Sequence, residues 1–218
     1  MYPWLVDALR RTSLLTWFEI IAGYALVMAT IWTEKAVQRR LFWISAAWFF
    51  CWFVVAAWKR EPLGLKLPGW RITVAILGVA ALLALALALS AAAMGTLHGL
   101  FGINRPLRHA AGYVFWCVVQ QLIQQSYFFV RFERATGNGR AAVLITALLV
   151  GSAHLPSPVL APVTLIGACI LSELFRRYRS FVPLGIAQGL IGLAIAISIP
   201  DSILHHMRVG LGYLRYPH

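Results

Sequence analysis

Long apolar runs, separated by short basic or proline-containing stretches, organise the whole chain. Seven such segments can be drawn, at about 12–33, 41–58, 72–94, 110–130, 141–155, 159–175 and 182–199. A helix needs about 20 predominantly apolar residues to cross a bilayer core, and several of these runs approach that length. The third, containing AALLALALALSAAA, carries no charge at all. The fifth and sixth are short, and Pro156, Pro158 and Pro162 lie at and beyond their junction, which predicts a tight hairpin or a re-entrant piece there. An extra half-span near His98–Phe101 would raise the count to eight. The pattern predicts an all-α polytopic transmembrane helical bundle of about seven helices (six to eight). Residues 1–218 form one integral membrane domain, with no polar linker to divide it.

Composition sharpens that picture. The 218 residues are 61% hydrophobic and 12% charged, with a mean hydropathy of +0.76. Soluble domains average about 45–50% apolar and about 25% charged residues, so a water-soluble enzyme, a disordered tail and a disulfide scaffold are excluded. Cys51, Cys117 and Cys169 all lie inside apolar runs without paired spacing, and they read as packing residues. No secretory signal is expected, because the first long run contains Glu19 and no small-residue cleavage site follows it.

The formal charge of +12 would suggest nucleic acid in a soluble chain. Here the basic residues sit between apolar runs, as topology signals and lipid-headgroup partners do. Membrane lipids, not nucleic acid, are the expected partners. Counted by alternate loops, twelve Lys and Arg fall on one side and seven on the other. The richer side holds the N-terminal arm, Lys59 to Arg71, Arg131 to Arg140, and Arg176 to Arg179. The positive-inside rule then places the N-terminus in the cytoplasm and the chain in the cytoplasmic (inner) membrane.

Polar residues in a lipid-spanning run are costly, so each asks for a reason. Gln120, Gln121, Gln124 and Gln125 share one face of the fourth segment, about a turn deep. Such a stripe faces protein or water, either as an interhelical amide network or as a polar pocket. Gln188 sits among glycines in the seventh segment, and His154 ends the fifth. By span parity, the start of segment four, the end of segment five and the tail after segment seven share a side. Gln121 and Gln188 then lie at similar depth, and with His154 they are expected to meet in one cavity. The tail adds Asp201, His205 and His206 on that side. Glu173 has Arg176 and Arg177 at ion-pair spacing, while Glu19 has no partner that spacing supplies.

These residues resemble the CPBP group of intramembrane proteases, which contains the type II CAAX prenyl endopeptidases and the Abi bacteriocin-immunity proteins. That family carries a Glu-Glu-x-x-x-Arg motif, then Phe-x-x-x-His, then His-x-x-x-Asn or similar. The first falls on Gln120-Gln121 through Gln125, the second on Val150 through His154, and the third on Gln188 through Gly192. The resemblance covers about 110–200, which is taken as the CPBP-like core. It implies site positions at Gln120, Gln121, Gln125, His154 and Gln188. It also implies His154 as the surviving metal-ligand position, and zinc as the cofactor if the site is active. Of the matched glutamate, arginine, histidine and asparagine positions, only His154 keeps its family identity.

The resemblance implies a CAAX-protease-like membrane protein with a metallo-endopeptidase fold. The substitutions predict a degenerate, non-hydrolytic site with no resident cofactor. A prenylated or transmembrane peptide, or a membrane protein, is the partner such a site implies. The alternatives are an active endopeptidase using His154 with Asp201, His205, His206 or Glu173, and a small transporter or lipid-handling protein with a Gln-lined path. A cysteine-based membrane transpeptidase would need Cys117 or Cys169 close to His154.

Overall fold

The computed structural model describes residues 3–99 and 106–215. It is all-helical, and its long helices follow the apolar segments closely. They are α1 (Pro3–Ile31), α2 (Lys35–Trp58), α3 (Trp70–Ala93), α4 (Pro106–Gln121), α5 (Val130–Thr136), α6 (Gly139–Ala153), α7 (Leu160–Tyr178) and α8 (Val182–Ser198). A π-helical segment, Leu122–Phe129, joins α4 to α5 without a break, so the fourth apolar run is one long helix. The tail adds α9 (Asp201–Leu204), a 3-10 turn and α10 (Leu211–Leu214). The half-span considered near His98 is not helical over 96–99; its end at Phe101, like Arg105, lies outside the described residues.

The fold is a polytopic membrane bundle. By length and composition alone, three helices among the described residues are fit to cross a bilayer: Leu14–Ile31, Lys35–Trp58 and Trp70–Ala93. A fourth joins them if α8 is counted with the tail piece Asp201–Met207, to which it is bent by 117°. The first three turn most of their apolar side chains outward, as a lipid-facing helix must. The remaining long helices are shorter or more polar than these three.

Local chemistry places the breaks. Gly137 adopts a left-handed conformation (φ 64°) and ends α5. The Asn138 side chain then caps α6 by accepting from the amides of Arg140 (2.9 Å) and Ala141 (3.2 Å). The proline-containing turn after His154 folds α7 back against α6 as a hairpin. At α8, Gly185 lies so close to α4 that an added Cβ would stand 2.5 Å from Val118 Cα. Gly189 does the same against Val114, one turn on. This small-residue face lets α4 and α8 approach more closely than larger side chains allow.

Cross-links between loops fix which ends lie together. At one end Glu61 pairs with Arg134 (2.9 Å), Glu133 with Arg179 (2.6 Å), and the Phe181 amide donates to the Gly64 carbonyl. At the other, Arg215 pairs with Glu34 (2.7 Å), the Gly210 amide donates to Leu155, and the His98 amide to Ile197. The two ends are those that span parity assigns. The buried core lies between α1, α2, the π segment, α6 and α7. There Phe49, Trp52 and Phe128 meet Tyr127 edge-on at 4.9–5.1 Å, and Phe129 packs on Phe175 at 5.6 Å.

Candidate functional site

The glutamine stripe lies where α4 passes into the π segment. A π segment widens the helix and recurs at functional sites. Here it carries Gln124 and Gln125 inward, and both are buried, as is Gln121. Gln188 reaches the stripe from α8 because Gly185 and Gly189 permit the close α4–α8 approach.

The amides form a connected network. Gln121 Nε2 donates to Gln124 Oε1 (3.0 Å) and to Gln188 Oε1 (2.7 Å). Gln188 Nε2 donates to Gln120 Oε1 (3.0 Å). Gln125 Nε2 donates to Gln121 Oε1 (3.0 Å) and to the buried hydroxyl of Ser172 on α7 (3.2 Å). Gln124 Nε2 reaches the same hydroxyl at 3.5 Å. Gln121 is the hub, using both N–H groups and its carbonyl. One atom is left over: Gln125 Oε1 is buried and has no hydrogen-bond partner. Ser172 was not among the sequence candidates. A serine in an apolar helix ordinarily bonds back to its own carbonyls, so its type carried no signal.

His154 closes α6 as the C-terminal cap, with Nδ1 2.8 Å from the Val150 carbonyl. The structure gives it no hydrogen bond to the glutamines. Near it, Tyr24 of α1 reaches Ser152 Oγ at 2.8 Å and so ties α1 to the end of α6. Of the site residues implied by the motifs, Gln120, Gln121, Gln125 and Gln188 are hydrogen-bonded to one another, and His154 has no hydrogen bond to them.

Neutral imidazole with Nδ1–H bonded to a carbonyl keeps its lone pair on Nε2, so His154 retains one ligand-capable nitrogen. A zinc site needs three or four such donors. Among the described residues no group of three or more His, Cys, Asp and Glu side chains is placed to hold a metal. The glutamine network offers only amides and a hydroxyl, so these residues do not fit zinc. The other polar candidates are engaged locally. Glu173 binds Arg176 and Arg177, each at 2.7 Å. His206 Nδ1 lies 2.9 Å from Asp201 Oδ1, and His205 stacks on Tyr213 with centroids 4.1 Å apart. Cys117 is buried on α4 and bonds to Tyr113, not to His154.

The structure also supplies the partner that spacing could not give Glu19. Arg131 Nε bonds its carboxylate at 2.6 Å. The guanidinium lies 3.9 Å from the Tyr127 ring centroid and 5.3 Å from that of Trp52. Arg131 is buried, so its place among the loop cations is corrected: it is an interior ion-pair residue.

A family model described as "Type II CAAX prenyl endopeptidase Rce1-like" matches residues 103–194. The matched stretch contains the glutamine stripe, His154, Ser172 and Gln188. No curated protein and no solved structure matches the chain.

Proposed function

We propose that this chain, whose residues 103–194 match the Rce1-like model of type II CAAX prenyl endopeptidases, is a member of that family that binds a membrane-embedded peptide without cutting it. The observation that carries the reading is the closed amide network of Gln120, Gln121, Gln124, Gln125 and Gln188. Peptide hydrolysis needs a group that takes a proton from water, and commonly a metal to polarise the carbonyl. A carboxamide does not accept a proton near neutral pH and is a poor zinc ligand. In this arrangement, moreover, the hub amide spends its groups on other amides. The site positions of the family are thus occupied by a structural hydrogen-bond lock.

Binding is supported by what the lock leaves open. Gln125 Oε1 is a buried acceptor with no donor, and an unpaired acceptor in a low-dielectric interior is costly until something bonds it. A peptide N–H from a chain entering between α4, α7 and α8 satisfies it. A prenylated CAAX-type peptide is the class the family implies, because its lipid tail partitions into the bilayer and delivers the peptide at membrane depth. His154, with one ligand-capable nitrogen at the end of α6, serves as a hydrogen-bonding group in this reading, with no metal. The bias of basic residues, eleven against seven once the interior Arg131 is set aside, supports a cytoplasmic N-terminus in the cytoplasmic membrane.

The test uses the full chain in lipid nanodiscs with a fluorescent farnesylated CAAX peptide. Saturable binding that weakens on Gln125→Leu, with the peptide recovered intact, is the expected result. Equal binding by wild type and Gln125→Leu removes the assigned role of that acceptor, and a shortened peptide removes the non-hydrolytic reading.

A further inference from the structure

The loop of residues 59–69, between α2 and α3, is not explained by the glutamine site. It carries Lys59, Arg60 and Lys66, and Arg71 follows in the first turn of α3; all four are exposed. Interleaved with them, Trp58 is 84% and Trp70 72% exposed, and Leu65 and Leu67 also face outward. The Arg71 guanidinium sits 5.6 Å from the Trp70 ring centroid. Cations, indoles and leucines thus alternate along one short segment.

The segment is held in a fixed shape. Leu63 is buried, and its carbonyl accepts from the Ser126 hydroxyl of the π segment at 2.7 Å. The Gly64 carbonyl accepts from the Phe181 amide at 3.1 Å, and Glu61 pairs with Arg134. The acids nearby are consumed elsewhere. Glu19, Glu61, Glu133 and Glu173 are bound by Arg131, Arg134, Arg179 and the Arg176–Arg177 pair, respectively. Among the described residues no carboxylate is paired with Lys59, Arg60, Lys66 or Arg71.

We propose that this loop is a docking surface for anionic phospholipid headgroups of the leaflet in which it lies. Geometry favours lipid over a soluble acidic partner. The loop joins α2 and α3, two of the helices fit to cross a bilayer, so Trp58 and Trp70 stand at the headgroup level where indole rings partition. Leu65 and Leu67 then enter the acyl boundary, while the four cations meet phosphates. Because Leu63 is bonded to Ser126, next to Gln125, lipid bound here also holds the loop against the π segment.

Native mass spectrometry of the detergent-solubilised full chain, titrated with dioleoylphosphatidylglycerol or dioleoylphosphatidylcholine, tests this. The wild type is expected to prefer phosphatidylglycerol by at least about 10-fold at low salt, and the variant K59Q/R60Q/K66Q/R71Q to lose that preference. The opposite-end variant K35Q/R39Q/R40Q should keep it. If the quadruple variant does not fold, K59Q/K66Q carries the same test with a loss of at least about 3-fold. Unchanged phosphatidylglycerol binding in the loop variants, or an equal loss at the opposite end, overturns the proposal. So does tighter binding of a polyglutamate peptide than of phosphatidylglycerol, which would assign the surface to a soluble partner.

Discussion

Gly185→Ala probes the contact on which the glutamine network depends. The added methyl would lie 2.5 Å from Val118 Cα and 2.9 Å from Val118 N, both backbone atoms of α4. Carbon atoms rest at about 3.5–4.0 Å, so α4 and α8 must separate by about 1 Å. Gln188 bonds Gln121 at 2.7 Å and Gln120 at 3.0 Å across that contact. Both bonds then stretch to about 3.7–4.0 Å, beyond useful range. Overpacking costs about 1–3 kcal/mol, and two interhelical hydrogen bonds in a membrane protein add about 0.6 kcal/mol each. The expected loss is therefore about 2–4 kcal/mol, read from reversible unfolding in bicelles. Gly78→Ala on α3 is the control, since nothing lies within 4 Å of its added Cβ and alanine is the better helix former. Combining Gly185→Ala with Gln188→Leu should recover about 1 kcal/mol of coupling, because the network bonds are then already lost. A Gly185→Ala protein as stable as the Gly78→Ala control would refute the close-approach argument.

Two further outcomes follow from the polar interior. Gln121→Leu removes a hub with three amide bonds, takes the donor from the carbonyl oxygens of Gln124 and Gln188 and leaves Gln125 Nε2 with Ser172 alone; it should cost about 2–4 kcal/mol, against about 1 kcal/mol for Gln120→Leu at the half-buried rim. Equal costs in the same unfolding measurement would show that Gln121 is not the hub. Glu19→Ala strands the buried Arg131 cation and should cost about 3–5 kcal/mol; an unchanged stability would show that the Trp52 and Tyr127 rings alone hold the guanidinium.

Much of this fold is legible in the sequence, for a simple reason. Hydrocarbon demands long apolar helices, so the seven runs mark the helices to within a few residues, apart from the polar extensions of α1, α2 and the fourth run. The Gln stripe is legible on the same ground, because adjacent amides in an apolar run have no other economical home than against protein. Gln188 is found from motif spacing and its glycine surroundings, although it lies 67 residues from Gln121. Ser172 is not legible: its hydroxyl is brought to Gln125 by the α6–α7 hairpin, which no local pattern encodes. The π segment is likewise silent, since its sequence is compatible with an ordinary helix. Arg131 reads as a loop cation because it opens a basic stretch; only the packing of α1 against α5 reveals Glu19 as its partner. His154 is expected to share a cavity with the glutamines from span parity and motif spacing; its Nδ1 bonds Val150, and it has no hydrogen bond to them.

Hydrolysis is the point on which the account turns. Purified full-length protein in nanodiscs is incubated with a farnesylated CAAX peptide and excess zinc, and the peptide is followed by mass spectrometry. The intact peptide persisting at the rate of protein-free nanodiscs is the predicted result. Release of the C-terminal tripeptide by the wild type but not by His154→Ala would contradict it.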